Sequence, residues 1–317
     1  MKKIALLLLL CLAANIHAER IDTIPFGDME SWTVRYIKES KLLGGQTKTL
    51  YALAPTDTIW ENGPYTYGQN GNPWATSNAY ADVHRMIEKA AGTMKPEKRE
   101  EGGTCCRMDV ELVNVQVLNK IDIQVLVPGT LFTGRNLEPI TTAKDPYQNI
   151  DFGVPFTGRP IALMLDYKCV ISPEQWIWYA KGMAKPKKQE GHDEAEVYLY
   201  LQHRWEDEKG KIHSIRVGTA YQRFSEDQLT WVNGHRLPIH YGDITNEPWY
   251  EEYMGFKEMQ RAVNSKGKVV LIEEEGWDAN LEPTHIVIML TSGKYEAFVG
   301  KAGNTLWVDN VCLVYED

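Results

Sequence analysis

The sequence predicts an all-β protein, an antiparallel jelly-roll β-sandwich, from three observations. Apolar and polar residues alternate with a period of two in segments of strand length, at 121–127, 161–165, 197–202 and 286–290. Turn dipeptides such as Pro128-Gly129 and Asn233-Gly234 punctuate these segments. Only two short stretches favour a helix. We therefore expect many strands packed as two sheets.

The first eighteen residues predict a secretory signal peptide. Lys2 and Lys3 precede an apolar run, residues 4–12, that is too short to span a bilayer, and small residues end at a cleavage site after Ala18. Cys11 also allows lipid attachment, although Leu10 before it is bulky for a lipoprotein signal. We expect an exported protein that resides in the periplasm or at the cell surface, outside the cytoplasm.

Residues 19–317 are expected to form a single domain, because no Pro/Ser/Gly-rich linker, low-complexity run or fixed-period repeat divides them. One or two short helices are expected within this domain. Apolar residues at helical spacing, followed by Gly92, predict one over 78–91. The second is expected around 248–256.

Charge and cysteine content restrict the partners and the redox chemistry. The chain has a formal net charge of −9, which disfavours nucleic acid and anionic membranes as partners. Its 10 Trp and 16 Tyr residues suit neutral, hydroxyl-rich ligands, although an acidic composition is equally typical of soluble proteins in general. Four cysteines follow the signal, and both disulfides and buried free thiols remain open for Cys105, Cys106, Cys169 and Cys312.

Six segments with distinctive composition follow one another along the chain: Ile24–Trp32, Asn72–Asn78, Thr130–Gly134, Gly153–Pro160, Asp166–Lys168 and Val299–Asn310. As an ordered set they resemble the putative carbohydrate metabolism domain family, exported proteins of Gram-negative gut anaerobes. The resemblance covers essentially the whole mature chain and implies a jelly-roll sandwich similar to carbohydrate-binding modules. It defines the fold better than the function.

The likeness to carbohydrate-binding jelly rolls implies a structural calcium ion. In such proteins an N-terminal Gly-x-x-Glu turn and an Asp of the last strand often share the ion, and here Asp28, Glu30 and Asp309 occupy the matching positions. Carboxylates and backbone carbonyls are ligands that calcium prefers. The alternative is that Asp309, an acid within an apolar strand, bonds to backbone amides without a metal.

Aromatic residues provide two candidate sugar-binding surfaces. The glycine-rich segment 60–74 combines Trp60, Tyr65, Tyr67 and Trp74 with Asn and Gln, as sites for pyranose rings do. Trp74 is alternatively a lid on the end of the sandwich. Tyr198 and Tyr200 share one face of their strand, which forms either a ligand groove or a second apolar core.

The sequence offers weaker support for catalysis. A glycosidase requires two carboxylates on either side of the scissile bond, and acid runs such as 273–275 are usually solvated surfaces. No nucleophile elbow, phosphate-binding loop or dinucleotide fingerprint is present. We therefore expect a secreted protein that binds a glycan without chemistry. The alternatives are a glycoside hydrolase or lyase, and a structural component of a cell-surface assembly with protein partners.

Overall fold

The computed structural model describes residues 18–83, 87–117, 121–142, 145–180 and 186–316. Residues 1–17 of the predicted signal peptide, which include Cys11, lie outside these ranges. No helix among the described residues is long and apolar enough to cross a lipid bilayer.

The described residues form 26 strands and two single-turn 3₁₀ helices, at Lys41–Leu43 and Glu252–Met254. In chain order the strands are β1 (Glu19–Thr23), β2 (Trp32–Lys38), β3 (Thr47–Leu53), β4 (Asp57–Ile59), β5 (Tyr65–Tyr67), β6 (Trp74–Thr76), β7 (Ala79–Val83), β8 (Ile87–Ala91), β9 (Met94–Lys98), β10 (Thr104–Val117), β11 (Ile121–Pro128), β12 (Thr130–Glu138), β13 (Ile150–Phe152), β14 (Val154–Pro155), β15 (Ala162–Val170), β16 (Trp176–Tyr179), β17 (Lys187–Glu190), β18 (Ala195–Glu206), β19 (Ile212–Phe224), β20 (Gln228–Pro238), β21 (His240–Tyr241), β22 (Arg261–Val263), β23 (Val269–Trp277), β24 (His285–Thr291), β25 (Val299–Gly300) and β26 (Thr305–Glu316).

Two large sheets form a β-sandwich, which confirms the predicted all-β fold. A seven-stranded sheet has the order β11-β10-β26-β15-β20, with β1 paired to β26 and β9 to β10. An eleven-stranded sheet has the order β13-β12-β24-β18-β19-β23-β22, with β5, β6, β14 and β21 added at its sides. Nearly all pairs are antiparallel; β19 with β23 and β2 with β4 are parallel. Three small sheets, β17-β16-β25, β3-β2-β4 and β7-β8, complete the fold.

The main core lies between the two large sheets and follows from the period-two pattern. Alternate residues of β18 and β24 face alternate residues of β15 and β26 there. In β26, Val308 and Val311 are both buried although they are three positions apart. An irregularity in the pairing of β15 with β26 accommodates Asp309 and Asn310 between them, and Asn310 has a φ of 50°.

The eleven-stranded sheet is also apolar on its outer face. Tyr198, Tyr200, Val287 and Met289 form a second cluster there together with residues of β12 and β13. The central strands β18 and β24 are therefore buried on both faces, and that explains why they carry large apolar side chains at both odd and even positions.

The helix predicted over 78–91 is wrong. Residues 79–83 and 87–91 are instead the antiparallel pair β7 and β8, with Tyr80 opposite Ala90. These two side chains pack against Ile37 and Leu50 in a small cluster of their own, so tertiary packing outweighs the helical spacing. The short helix expected around 248–256 is present only as the single-turn 3₁₀ helix Glu252–Met254.

Candidate ligand-binding cavity

A cavity of about 1010 Å³ is lined by residues of both large sheets. Its lining comes from the end of β1, the loop 68–73, the β13–β14 segment, the C-terminal end of β18 and the N-terminal end of β24. Residues of β12, β19, β22 and β26 also line it. Parts of the chain that are distant in sequence therefore meet at this place, and ligand sites commonly occupy such concave junctions.

Aromatic rings form part of the cavity wall. Trp205, 40 % exposed, stacks on His213 with ring centroids 5.4 Å apart and an interplanar angle of 15°. Phe156 and Tyr315 are half-buried beside the main core and also line the cavity. Partly exposed rings of this kind offer flat apolar surfaces to a ligand.

Polar side chains are interspersed with these rings. Arg135 donates from Nε to Asp151 Oδ2 at 2.9 Å, and Asp151 Oδ1 accepts the Val263 amide at 3.0 Å. Gln69 and Asn70 are exposed at the edge of the cavity. These amides and charged groups supply the donors and acceptors that hydroxyl-rich ligands require.

Two basic side chains lie deeper in the cavity lining. Arg204 is 8 % exposed and donates from Nη1 to the Phe152 carbonyl at 2.7 Å and from Nε to Gln202 Oε1 at 2.8 Å. His285 contacts the Thr284 hydroxyl through Nδ1 at 2.9 Å. Burial, and then the charge of Arg204, lower the pKa of His285 to about 4, so this imidazole is neutral near pH 7.

Two carboxylates of the lining are engaged by neighbouring groups. Two hydrogen bonds to Glu206, from the amide and the hydroxyl of Ser265, both at 2.7 Å, lower its pKa. Asp151 is held by the Arg135 guanidinium. A glycosidase needs one carboxyl with a raised pKa to protonate the leaving group, and the pKa of Glu206 is shifted in the opposite direction.

The aromatic residues predicted in segment 60–74 lie outside the cavity lining. Trp60 is 72 % exposed and stacks on Tyr36 with centroids 4.2 Å apart. Tyr65 is half-buried, and the Arg35 guanidinium lies 4.0 Å from its ring centroid. Tyr67 is buried, and its hydroxyl accepts from Arg35 Nη1 at 2.8 Å.

Trp74 is likewise buried, with 1 % of its surface exposed, and it donates from Nε1 to the Pro25 carbonyl at 2.8 Å. The predicted aromatic platform is therefore wrong for Tyr67 and Trp74, because neither ring has a surface that a sugar can reach. The polar middle of the same segment, 68–73, does line the cavity.

Tyr198 and Tyr200 do not form an open groove. Both are buried in the second apolar cluster, stacked on each other with centroids 4.6 Å apart. The Arg216 guanidinium lies 3.5 Å from the ring centroid of Tyr200. The alternative interpretation, a second core face, is the one that the structure shows.

The three carboxylates predicted to share calcium do not come together. Among the described residues, one group of three His, Cys, Asp or Glu side chains has its potential metal-ligand atoms within 4.8 Å of one another. That group is His213, Glu273 and Glu275, and it contains none of the three predicted residues. Asp309 is an ion-pair partner of Arg99, and Glu30 accepts the amide of Thr104 at 2.8 Å.

Asp28 is exposed, and its carboxylate oxygen is 3.5 Å from the Glu30 amide. A calcium ion needs each of its oxygen ligands 2.3–2.6 Å from the ion. A shared calcium site therefore does not fit the arrangement of Asp28, Glu30 and Asp309.

The polar residues of the cavity escaped sequence reasoning. Arg135, Asp151, His285 and Glu206 are each flanked by ordinary strand patterns, and no spacing links them. The available signal was that Arg204 shares a strand face with Tyr198, Tyr200 and Gln202.

The fold is that of an all-β sandwich protein. The model of one family, described as "Putative carbohydrate metabolism domain", matches residues 54–314. The chain belongs to that family. None of the curated proteins matches it.

Among solved structures, the chain is similar to two proteins described as putative glycoside hydrolases. The one from Bacteroides thetaiotaomicron is 18 % identical with a TM-score of 0.47, over 90 % of this chain and 71 % of that one. The one from Bacteroides vulgatus is 14 % identical with a TM-score of 0.38, over 92 % and 94 % of the two chains. Carbohydrate-binding modules of the β-sandwich superfamily are matched at 10 % identity and a TM-score of 0.21, over 88 % and 84 %. Similarity at this level bears on neither binding nor catalysis.

Proposed function

We propose that this protein binds a glycan in the cavity beside Trp205 and does not cleave it. The observation that carries the proposal is the combination, in one cavity, of partly exposed aromatic rings with exposed amides and charged groups. Sugar rings stack their C–H faces on aromatic side chains while their hydroxyls bond to polar groups. The volume of about 1010 Å³ lies at the upper end of the usual range for ligand sites, which suits an oligosaccharide.

Binding without hydrolysis is favoured because the cavity lacks a suitable acid. Two hydrogen bonds from Ser265 lower the pKa of Glu206, and Asp151 is paired with the Arg135 guanidinium. Burial raises the pKa of four described acids: Glu138 and Asp193, each to about 6, and also Glu111 and Asp309. None of these four acids lines the cavity. Substrate therefore has no route to them through this site.

The predicted signal peptide extends the proposal to location. An exported glycan-binding protein would meet its ligand in the periplasm or at the cell surface, where it would also meet cell-surface protein partners. Cell fractionation together with N-terminal sequencing of the mature protein tests this part, and the expected mature chain begins at Glu19.

The experiment for the site is a glycan-array screen followed by titration calorimetry on the strongest ligand. Trp205→Ala removes one stacking surface, and we expect binding to weaken about three- to tenfold. Trp60→Ala is the matched control, because Trp60 is an exposed tryptophan that does not line the cavity. If both variants lost affinity equally, or if neither lost affinity, the glycan site would lie elsewhere.

A reducing-end assay on the same ligands separates binding from catalysis. We expect no release of reducing ends during prolonged incubation with the wild-type protein. Release that Trp205→Ala abolishes would replace the binding proposal with a glycoside hydrolase. Absence of binding to every glycan would favour a structural role.

A further inference from the structure

One buried arginine differs from the others in its electrostatic environment. Three arginines are buried among the described residues: Arg35, Arg204 and Arg216. Arg35 Nη1 lies 2.7 Å from Glu138 Oε2, and Arg216 Nε lies 2.8 Å from Glu274 Oε1. Arg204 forms no ion pair with a carboxylate in the described part of the chain. Its charge is therefore buried without a carboxylate in direct contact, which is costly for a folded protein, although the more distant charges of Asp151 and Glu274 offset part of the cost.

The hydrogen bonds of Arg204 go to neutral oxygens. Nε and Nη2 both donate to Gln202 Oε1, and Nη1 donates to the Phe152 carbonyl. A guanidinium carries five N–H donors, so these three contacts leave two for another partner. Burial lowers the pKa of Arg204 to about 10, and the group still carries its charge near pH 7.

Acids close to Arg204 are already paired. Glu274 contacts Arg216, and Asp151 contacts Arg135. The other two carboxylates of the cavity lining have partners as well. Asp22 accepts from Arg20 Nε at 3.1 Å, and Glu206 accepts two bonds from Ser265.

The remaining basic group beside the site does not compete with Arg204 for an anion. His285 lines the same cavity and is neutral near pH 7. Arg135, the other guanidinium of the lining, is engaged by Asp151. Among the described lining residues, Arg204 is thus the cation whose charge is not matched by the protein.

We propose that the ligand is an anionic glycan and that a carboxylate or sulfate of one sugar unit pairs with the Arg204 guanidinium. This inference rests on the proposed glycan binding and specifies its substrate class. A guanidinium binds the two oxygens of a carboxylate or sulfate with parallel N–H bonds, and such charge-assisted bonds are about twice as strong as neutral ones. The anion would be the directly contacting negative charge that no described residue of the protein provides for Arg204.

Matched ligand pairs test the inference directly. An array carries uronate-containing oligosaccharides beside their carboxyl-reduced forms, and sulfated oligosaccharides beside their desulfated forms. We expect one acidic series to bind about tenfold or more tightly than its neutral counterpart, and added salt to reduce that preference. The two series show whether the anion is a carboxylate or a sulfate.

Variants assign the preference to Arg204. We expect Arg204→Gln to abolish the acidic preference and Arg204→Lys to keep part of it, since a lysine retains the charge but not the planar pair of donors. Arg236→Gln is the control, because Arg236 is an exposed arginine paired with Glu19 outside the cavity. If Arg204→Gln does not fold, the matched ligands on the wild-type protein decide.

The outcomes separate this inference from the proposed function. Equal affinity for acidic and neutral members of each pair would overturn the anionic ligand while leaving glycan binding intact. An acidic preference that survives Arg204→Gln in a folded variant would also overturn it. Failure of every glycan to bind would overturn both proposals.

Discussion

The guanidinium of Arg99 lies 2.7 Å from the carboxylate of Asp309, at the position where the sequence predicted calcium. The same Nη1 atom is 2.9 Å from Asp166 Oδ2, and the Arg99 guanidinium lies 4.0 Å from the ring centroid of Trp231. A carboxylate within an apolar strand needed a cationic or hydrogen-bonding partner, and an arginine from another part of the chain supplies it.

Removing Arg99 should therefore destabilise the fold strongly. Arg99→Met leaves Asp166 and Asp309 close together without a cation, and we expect the free energy of unfolding to fall by about 3–5 kcal/mol. Urea denaturation measures it. Arg20→Met is the control, because the Arg20–Asp22 pair is exposed and is worth about 1 kcal/mol or less. Similar small losses in both variants would contradict the structural role of Arg99.

Calcium should have little effect on stability. Because Asp28, Glu30 and Asp309 do not converge, we expect the thermal midpoint of the wild-type protein to be the same in EDTA and in millimolar calcium. Differential scanning calorimetry gives the comparison. A midpoint that rises with calcium concentration would show a calcium site that these carboxylates, or others, complete.

Trp74 should matter for stability and not through direct ligand contact. Trp74→Ala empties a buried site and removes the bond to the Pro25 carbonyl, and we expect a loss of about 3–5 kcal/mol. Trp60→Ala should change the free energy of unfolding by about 0.5 kcal/mol or less, because Trp60 is exposed. A stable Trp74→Ala protein that has lost glycan binding would restore the platform interpretation.

The strand pattern predicted the fold because alternation in β18, β24 and β15 reports directly which side chains enter the core. The pattern failed at residues 78–91, where small and apolar residues fit a helix and a strand equally. There the decision comes from Ile37 and Leu50, which lie far away in sequence and cover Tyr80 and Ala90. Local spacing contains no information about that contact.

The site was harder to predict than the fold, for a related reason. Tyr198 and Tyr200 were correctly placed on one face of their strand, but the sequence does not show that this face is covered. Arg204, six residues after Tyr198 and four after Tyr200 on the same strand, lines the cavity. Its hydrogen-bond partners are Gln202 of the same strand and the Phe152 carbonyl of β13, and only the folded chain shows that neither is a carboxylate.

The four described cysteines are free thiols, so their chemical accessibility can be predicted. Cys105, Cys106, Cys169 and Cys312 are all buried, and burial raises the pKa of Cys105 to about 11. We expect a thiol reagent such as Ellman's to react slowly with the native mature protein and to count four thiols after unfolding without reductant. Fewer than four would indicate a disulfide, and rapid native labelling would indicate an exposed thiol.

Asp193, two residues before β18, is buried and forms hydrogen bonds to the segment that precedes β26. It is 1 % exposed and accepts the amides of Glu194 and Lys294 at 3.0 Å and of Lys301 at 2.8 Å. Gly300 has a φ of 143°, and a Cβ there would lie 2.6 Å from Asp193 Oδ2. Burial raises the pKa of Asp193 from 3.8 to about 6 in spite of the three amides.

This raised pKa predicts how stability depends on pH. Between about pH 4 and 6 the folded state binds the proton that the unfolded state releases, so the stabilising contribution is complete below pH 4 and is lost as the pH rises through 6. The difference between 3.8 and about 6 corresponds to about 3 kcal/mol.

An Asp193→Asn variant tests this dependence. Its side chain cannot titrate, and it also loses one hydrogen bond from a backbone amide at every pH. We expect the free energy of unfolding of the wild type, relative to that of the variant, to be larger at pH 4 than at pH 7. Urea denaturation of both proteins at the two pH values measures this difference. A difference between them that does not change with pH would mean that Asp193 titrates normally in the folded protein.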